Sequence, residues 1–152
     1  MPVRIQTEDF DLSTEIAALR AGRAGVGAVV SFVGTVRDIN QGTGVSSLTL
    51  EHYPGMTDKS LQEIVAQAKS RWQLDEVLVI HRVGPLLPLE QIVLVAVSSA
   101  HRGEAFEACE FVMDWLKTRA PFWKKEATPQ GDRWVDARES DDAAAARWGR
   151  SE

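Results

Sequence analysis

Four cations surround an apolar corner in LKTRAPFWKKE, residues 116–126. Lys117 and Arg119 stand before Pro121, and Lys124 and Lys125 follow Phe122 and Trp123. Amines beside aromatic rings can be solvated charges, can gather an anion, or can do acid, base or nucleophilic work where burial lowers an ammonium's pKa. Side chains alternate between the faces of a strand, so Lys124 goes with Phe122 and Lys125 with Trp123. One lysine is therefore directed at an aromatic-lined surface. The surface reading stays open beside this one. Cations suit a helix C-terminus by ~0.3–1 kcal/mol each, and lysines guard strand edges against pairing.

Two other stretches could join such a site. In SSAHRGEAFE, 98–107, a strand ends and a helix begins at His101-Arg102-Gly103. A helix N-terminus after a strand offers free N–H groups to an anion, and Arg102 adds a planar donor fork; Ser99 or His101 could equally just cap the helix. In GTVRDINQGTG, 34–44, Arg37 stands where a strand enters a glycine-rich loop of the kind that often covers ligands. A solvated arginine at a strand end reads equally well. The glycines match neither a P-loop nor a dinucleotide fingerprint. Spacing thus collects Arg37, His101, Arg102, Lys117 and Lys124 at element ends, a cationic pocket for a small anionic, ring-containing ligand. It names no reaction.

The remaining candidates point to packing. His52 shares a strand face with Leu48 and Leu50, and His81 lies between Ile80 and Arg82 on another strand; both read as core or surface histidines. The single cysteine, Cys109, falls in the apolar arc of a helix, which favours burial over nucleophilic use. No paired His or Cys spacing supports a metal site, and no G-x-S-x-G supports a nucleophile-elbow hydrolase.

The elements that must hold these residues follow from periodicity. Residues 11–21 read as a short helix capped by Asp11 or Ser13 and stopped at Gly22. Residues 26–37 read as a buried valine-rich strand, and 45–53 as a half-buried one, the two forming a long hairpin. A helix begins near Thr57 and carries Leu61, Ile64, Val65, Ala68 and Trp72 at helical spacing. Strands are expected at 75–84 and 91–100, joined by the connector GPLLP. A second helix, from Gly103 to about Arg119, presents Phe106, Cys109, Val112, Met113 and Leu116 on its apolar arc and ends before Pro121. Strands at 122–127 and 133–137 and a helical tail, DDAAAARW, complete the pattern. This is an α+β chain with mostly antiparallel pairing and two main amphipathic helices.

The 152 residues suit one domain spanning 1–152, with the N-terminal few residues and 149–152 at its margins. The formal net charge of −5 argues against nucleic acid as the main partner, since phosphate backbones require a broad basic surface. Yet 117–138 carries six Lys or Arg against three acids, a basic site in an acidic protein. The lack of a signal-like start or a membrane-length apolar run, together with the lone cysteine, leads us to expect a cytoplasmic location without membrane contact.

Longer blocks carry a resemblance. TLEHYPGMTDK (49–59), VIHRVG (79–84), SAHRGEAFEA (99–108) and MDWLKTRAPFWKKEATPQGDRWVDARESD (113–141) resemble the catalytic (large) subunit family of molybdopterin synthase. The similarity runs from about Gly27 to Trp148. It implies an α/β-hammerhead-like fold and a sulfurtransferase of molybdenum cofactor biosynthesis. The implied reaction converts cyclic pyranopterin monophosphate (precursor Z) to molybdopterin by installing a dithiolene. Sulfur is expected from the C-terminal Gly-Gly thiocarboxylate of a small ubiquitin-like carrier, two carriers per product. The resemblance implies a homodimer of this chain within a heterotetramer, and no resident cofactor or metal. The C-terminal WGRSE, without Gly-Gly, fits the receiving subunit and not the carrier. Residue by residue, Lys117 and Lys124 match the family's active-site lysines, and Arg37, His101 and Arg102 its substrate-binding positions. Lys125 and Glu126 lie in the same substrate-binding block, and Arg138 matches a position that reaches a neighbouring subunit's site. Two other readings remain: an adaptor that docks a ubiquitin-like protein without catalysis, and a lysine Schiff-base lyase.

Overall fold

In the computed structural model, two four-stranded sheets meet along a cleft, and helices cover both faces of the first sheet. The structure describes residues 2–40, 42–135, 139–146 and 148–149. The elements run β1 (Val3–Gln6), α1 (Leu12–Arg20), β2 (Ala28–Thr35), β3 (Ile39–Asn40), β4 (Thr43–Gly44), β5 (Ser47–His52) and α2 (Met56–Arg71). Then come β6 (Glu76–Arg82), β7 (Gly84–Leu86), β8 (Gln91–Ser99), α3 (Arg102–Arg119), β9 (Phe122–Thr128), β10 (Gly131–Val135) and α4 (Glu139–Ala146).

The first sheet has the order β1-β6-β8-β2. Only its β1–β6 pair is parallel. Strand β8 is central, as its near-continuous apolar run requires: Val93 to Ser99 are all buried. Alternation along β6 and β8 divides their residues between two cores. Val77, Val79, Val93, Val95 and Val97 pack under α2 and α3. Leu78, Ile80, Leu94 and Ala96 pack with Phe10 and with Leu19 of α1. Asp11 caps α1 by accepting the Thr14 N–H at 2.9 Å.

The second sheet, β10-β9-β5-β7, is antiparallel throughout. Leu48 and Leu50 of β5 meet Leu86 and Val36 in a third, smaller core. This arrangement corrects the expected hairpin. The valine-rich strand β2 pairs with β8, and β5 pairs with β9 and β7. The glycine-rich connection forms its own small hairpin, β3–β4, and carries the chain from one sheet to the other.

Besides β3 and β4, two strands escape sequence reading. Strand β1 is short, but Val3 is buried in the main core and Ile5 packs against it. Strand β7 contains Pro85, which lacks an N–H and fits here because β7 is a sheet edge. Along α3, Phe106 lies 60% exposed instead of on the apolar arc, whereas Phe111 and Trp115 are buried. The reason is a second cover on the helix. Trp72 and Trp148 set their rings edge-on to Phe111 at 5.4 and 5.6 Å, so α3 buries more than one stripe. Thr57 does not cap α2, whose N-cap position is Gly55.

Gly27, just before β2, leaves no room for a side chain. A Cβ there would stand 2.2 Å from the Ala100 carbonyl oxygen, so a side chain would force β2 away from β8 just where α3 begins.

Candidate functional site

The cleft between the sheets holds a cavity of about 490 Å³, lined by Arg37, His81, Lys117, Phe122, Lys124 and Glu126 among others. Three elements bring the cations together. Arg37 stands two residues past β2, next to Val36, whose N–H donates to the Glu90 carbonyl at 2.9 Å and ties the strand end down. Lys117 sits exposed in the last turn of α3. Lys124 lies half-buried on β9, paired with Leu50 of β5.

Pro121 makes the corner between the two lysines, and the chain holds that corner from outside. The Thr57 hydroxyl donates to the Pro121 carbonyl at 2.9 Å and accepts the Tyr53 N–H at 2.9 Å. The Phe122 N–H closes a tight turn onto the Ala120 carbonyl at 2.9 Å. A helix end and a strand start are thereby fixed to each other, and their lysines line one cavity.

Glu126 lines the cavity too, but protein groups bind both its carboxylate oxygens. Asn40 Nδ2 donates to Oε2 at 2.8 Å, and Arg133 Nε donates to Oε1 at 3.1 Å. Arg133 also donates to the Asn40 carbonyl at 3.1 Å. The three residues form a latch that holds the β3–β4 hairpin, just after Arg37, against β9 and β10. The Glu126 side chain is almost fully buried, so this charge-assisted set is worth more than a surface pair.

The other expected site residues lie elsewhere. Lys125 faces away from the cavity, with Nζ 5.7 Å from the centre of the Trp134 ring. Strand alternation separates it from Lys124, as the spacing implied. Arg119 places its guanidinium 4.1 Å above the Trp115 ring and serves packing. His101 and Arg102 are exposed at the start of α3, the helix whose last turn carries Lys117. A rise of about 1.5 Å per residue puts Arg102 and Lys117 roughly 22 Å apart along the axis. No side chain caps that helix start; the Ser99 hydroxyl accepts the His101 N–H at 3.4 Å. Arg138 lies outside the described residues.

Sequence reasoning passed over His81, which is buried on the cavity wall. Its ring stacks on Phe122 at 3.8 Å and 15°. Burial pushes the imidazole down to about 3, and the nearby Lys117, Lys124 and His52 push the same way. The signal was present: Val77, Val79 and His81 share one face of β6, directed at α3. Cys109 is buried in the main core, and burial pushes its thiol up to about 11. Among the described residues no three His, Cys, Asp or Glu side chains gather as a metal set, and no helix is long and apolar enough to cross a membrane.

This arrangement can bind an anion and stabilise charge developing on oxygen, with three cations around one concave space. Comparison with known proteins identifies the family. The MoaE protein family matches residues 5–119. A molybdopterin synthase catalytic subunit from Ralstonia nicotianae is 68% identical over 147 residues, covering 97% of this chain and 84% of that one. A molybdopterin biosynthesis MoaE protein from Burkholderia ambifaria has the same fold, with a TM-score of 0.83 and 60% identity over 99% of this chain and all of that one. A Helicobacter pylori chain, solved as a complex of subunits 1 and 2 of molybdopterin-converting factor, shares the fold at 21% identity. Its TM-score is 0.75, over 91% of this chain and 92% of that one.

Proposed function

The chain belongs to the MoaE family, the catalytic subunits of molybdopterin synthase, and from that premise we propose how its cavity handles sulfur transfer. The observation that carries the reading is the convergence of Arg37, Lys117 and Lys124 on one cavity across the Pro121 corner. The substrate is cyclic pyranopterin monophosphate, and the sulfur donor is the C-terminal thiocarboxylate of a small ubiquitin-like carrier whose tail enters the cleft. Arg37 binds the cyclic phosphate through its donor fork. Lys117 stabilises or protonates the oxygen that leaves carbon as the thiocarboxylate sulfur bonds to the pterin side chain, and water then cleaves the acyl–sulfur bond, leaving sulfur on the pterin and a carboxylate on the carrier. Lys124 holds the carrier's terminal carboxylate and the charge that develops there. Glu126 supports the site by fastening the hairpin beside Arg37. The enzyme needs no resident cofactor for these steps.

His101 and Arg102 can contribute to phosphate binding only from a second copy of the chain, because their own cavity lies at the far end of α3. A homodimer carrying one small subunit at each end, with Arg138 reaching across, accommodates this. Family membership and the two-subunit complex solved for the H. pylori protein support the small-subunit partner.

The test is to mix this chain with thiocarboxylated carrier and precursor Z and to measure dithiolene product. Product is expected, and Lys117→Ala should lower its rate of formation about a hundredfold or more; near wild-type turnover in that variant would overturn the assignment. Arg102→Ala should weaken precursor binding. Mixing Lys117→Ala with Arg102→Ala subunits should restore up to about one quarter of full activity, since about half of the dimers are mixed and each of these contains one intact site of two. No restoration would remove Arg102 from the neighbouring cavity.

A further inference from the structure

We propose that His81 is a hydrogen-bond acceptor of the cavity, its Nε2 taking an N–H or O–H of the bound small molecule and so selecting ligands that join an anionic group to a donor edge. The inference rests on the substrate reading above and adds a residue to it. Strand β6 places His81 at the end of the row begun by Val77 and Val79, beneath the last turn of α3. Its Nδ1 lies 2.8 Å from the Arg82 carbonyl oxygen. A carbonyl only accepts, so Nδ1 carries the proton and the tautomer is fixed. The stack on Phe122 fixes the ring plane.

Nε2 therefore carries a lone pair. Among the described residues no group donates to it, and it is not one of the polar atoms sealed inside without a partner. The groups facing the ring are Lys117 from α3, Lys124 from β9 and His52 from β5, and together with burial they keep it uncharged. The lysines and Arg37 offer only donors. The carboxylate on the wall, Glu126, has both oxygens bound to protein groups. A ligand bearing ring N–H groups as well as a phosphate leaves those donors unmatched unless the wall accepts, and an unmatched buried donor is costly. An uncharged imidazole accepts without cancelling the positive field that holds the anion.

The experiment uses the ¹⁵N-labelled chain, alone and with its carrier. Imidazole nitrogen shifts are followed from pH 5.5 to 8, and precursor Z is added while calorimetry reports binding independently. The expected result is one neutral Nδ1–H tautomer for His81 throughout, with the Nε2 resonance moving as precursor saturates. His81→Phe, which keeps the stack and removes the acceptor, should weaken precursor binding about tenfold. His81→Gln should recover part of the loss. A protonated Nε2 in the free chain, or saturation by calorimetry with Nε2 unmoved, would overturn the inference. Absence of precursor binding would overturn the substrate reading, and the role of His81 with it.

Discussion

The two faces of β9 differ more than their sequence suggests. Phe122, Lys124 and Glu126 turn inward, where they meet His81, the cavity and the Asn40–Arg133 latch. Trp123 and Lys125 turn outward, where Trp123 lies 6.2 Å from Tyr53 and Lys125 leans over Trp134. Two consecutive lysines thus have different work. One helps build a positive field inside a concave wall, and the other rests on an exposed ring in solvent, where a cation–π contact is worth ~0.5–1 kcal/mol. A basic cluster is therefore not a functional unit; the face to which the backbone assigns each cation is.

Substitutions can break this comparison in order of expected effect. Lys117→Ala should lower turnover by about a hundredfold or more, the scale for losing a positioned charge at developing oxyanion density. Its melting temperature should stay unchanged, because the side chain is exposed. Lys124→Ala should cost about 10- to 100-fold in kcat/KM, measured with saturating carrier. Glu126→Ala removes the acceptor shared by the buried Asn40 amide and the partly exposed Arg133 and should lower stability by about 1–3 kcal/mol in urea unfolding. Faster hydrogen exchange in residues 39–44 should accompany it, and Glu126→Gln should lose less.

A subtler test uses acid. His81 has a folded pKa near 3 against an ordinary value of 6.5, so between these values the unfolded chain binds more protons than the folded one. Stability should therefore fall as pH drops below about 6.5, with a slope approaching ~1.4 kcal/mol per pH unit from this group. His81→Phe should remove that slope from urea titrations; an unchanged slope would mean the ring is charged in the folded protein. The smallest effect belongs to the outer face. Lys125→Ala should leave turnover within about twofold and stability within ~0.5 kcal/mol. A large loss of turnover there would erase the distinction between the two faces.

The convergence of Lys117 and Lys124 was legible because it is local. A helix end, a proline and a strand start lie within eight residues, and periodicity assigns the faces. The burial of Cys109 and the central place of β8 follow from composition in the same way. The partners of β2 and β5 were not legible, since hydrophobic alternation says that a strand needs a partner and not which one. Strand β1 was hidden by its brevity and β7 by its proline. Phe106 misled because the arc was drawn for one covered face, whereas α2, Trp72 and Trp148 cover a second. Alternation along β6 puts His81 on the face of Val77 and Val79, which reads as packing, and the cavity that this face also lines depends on where α3 and β9 lie. The distance between Arg102 and Lys117 follows from helix rise alone, yet a second copy has to be considered before both can serve one phosphate.

The latch also bears on how the molecule comes to exist. The Asn40–Glu126 hydrogen bond joins residues 86 positions apart, and Arg133 reaches back 93 positions to the Asn40 carbonyl. Closing such loops is entropically slow and depends on both sheets being in place. The first sheet draws on residues 3–99 alone, whereas the latch needs Arg133 of β10, so the hairpin beside Arg37 is not fastened until β10 has docked. The cavity wall beside Arg37 is thus completed by a residue from near the end of the chain, although the elements that place the cavity's cations come earlier.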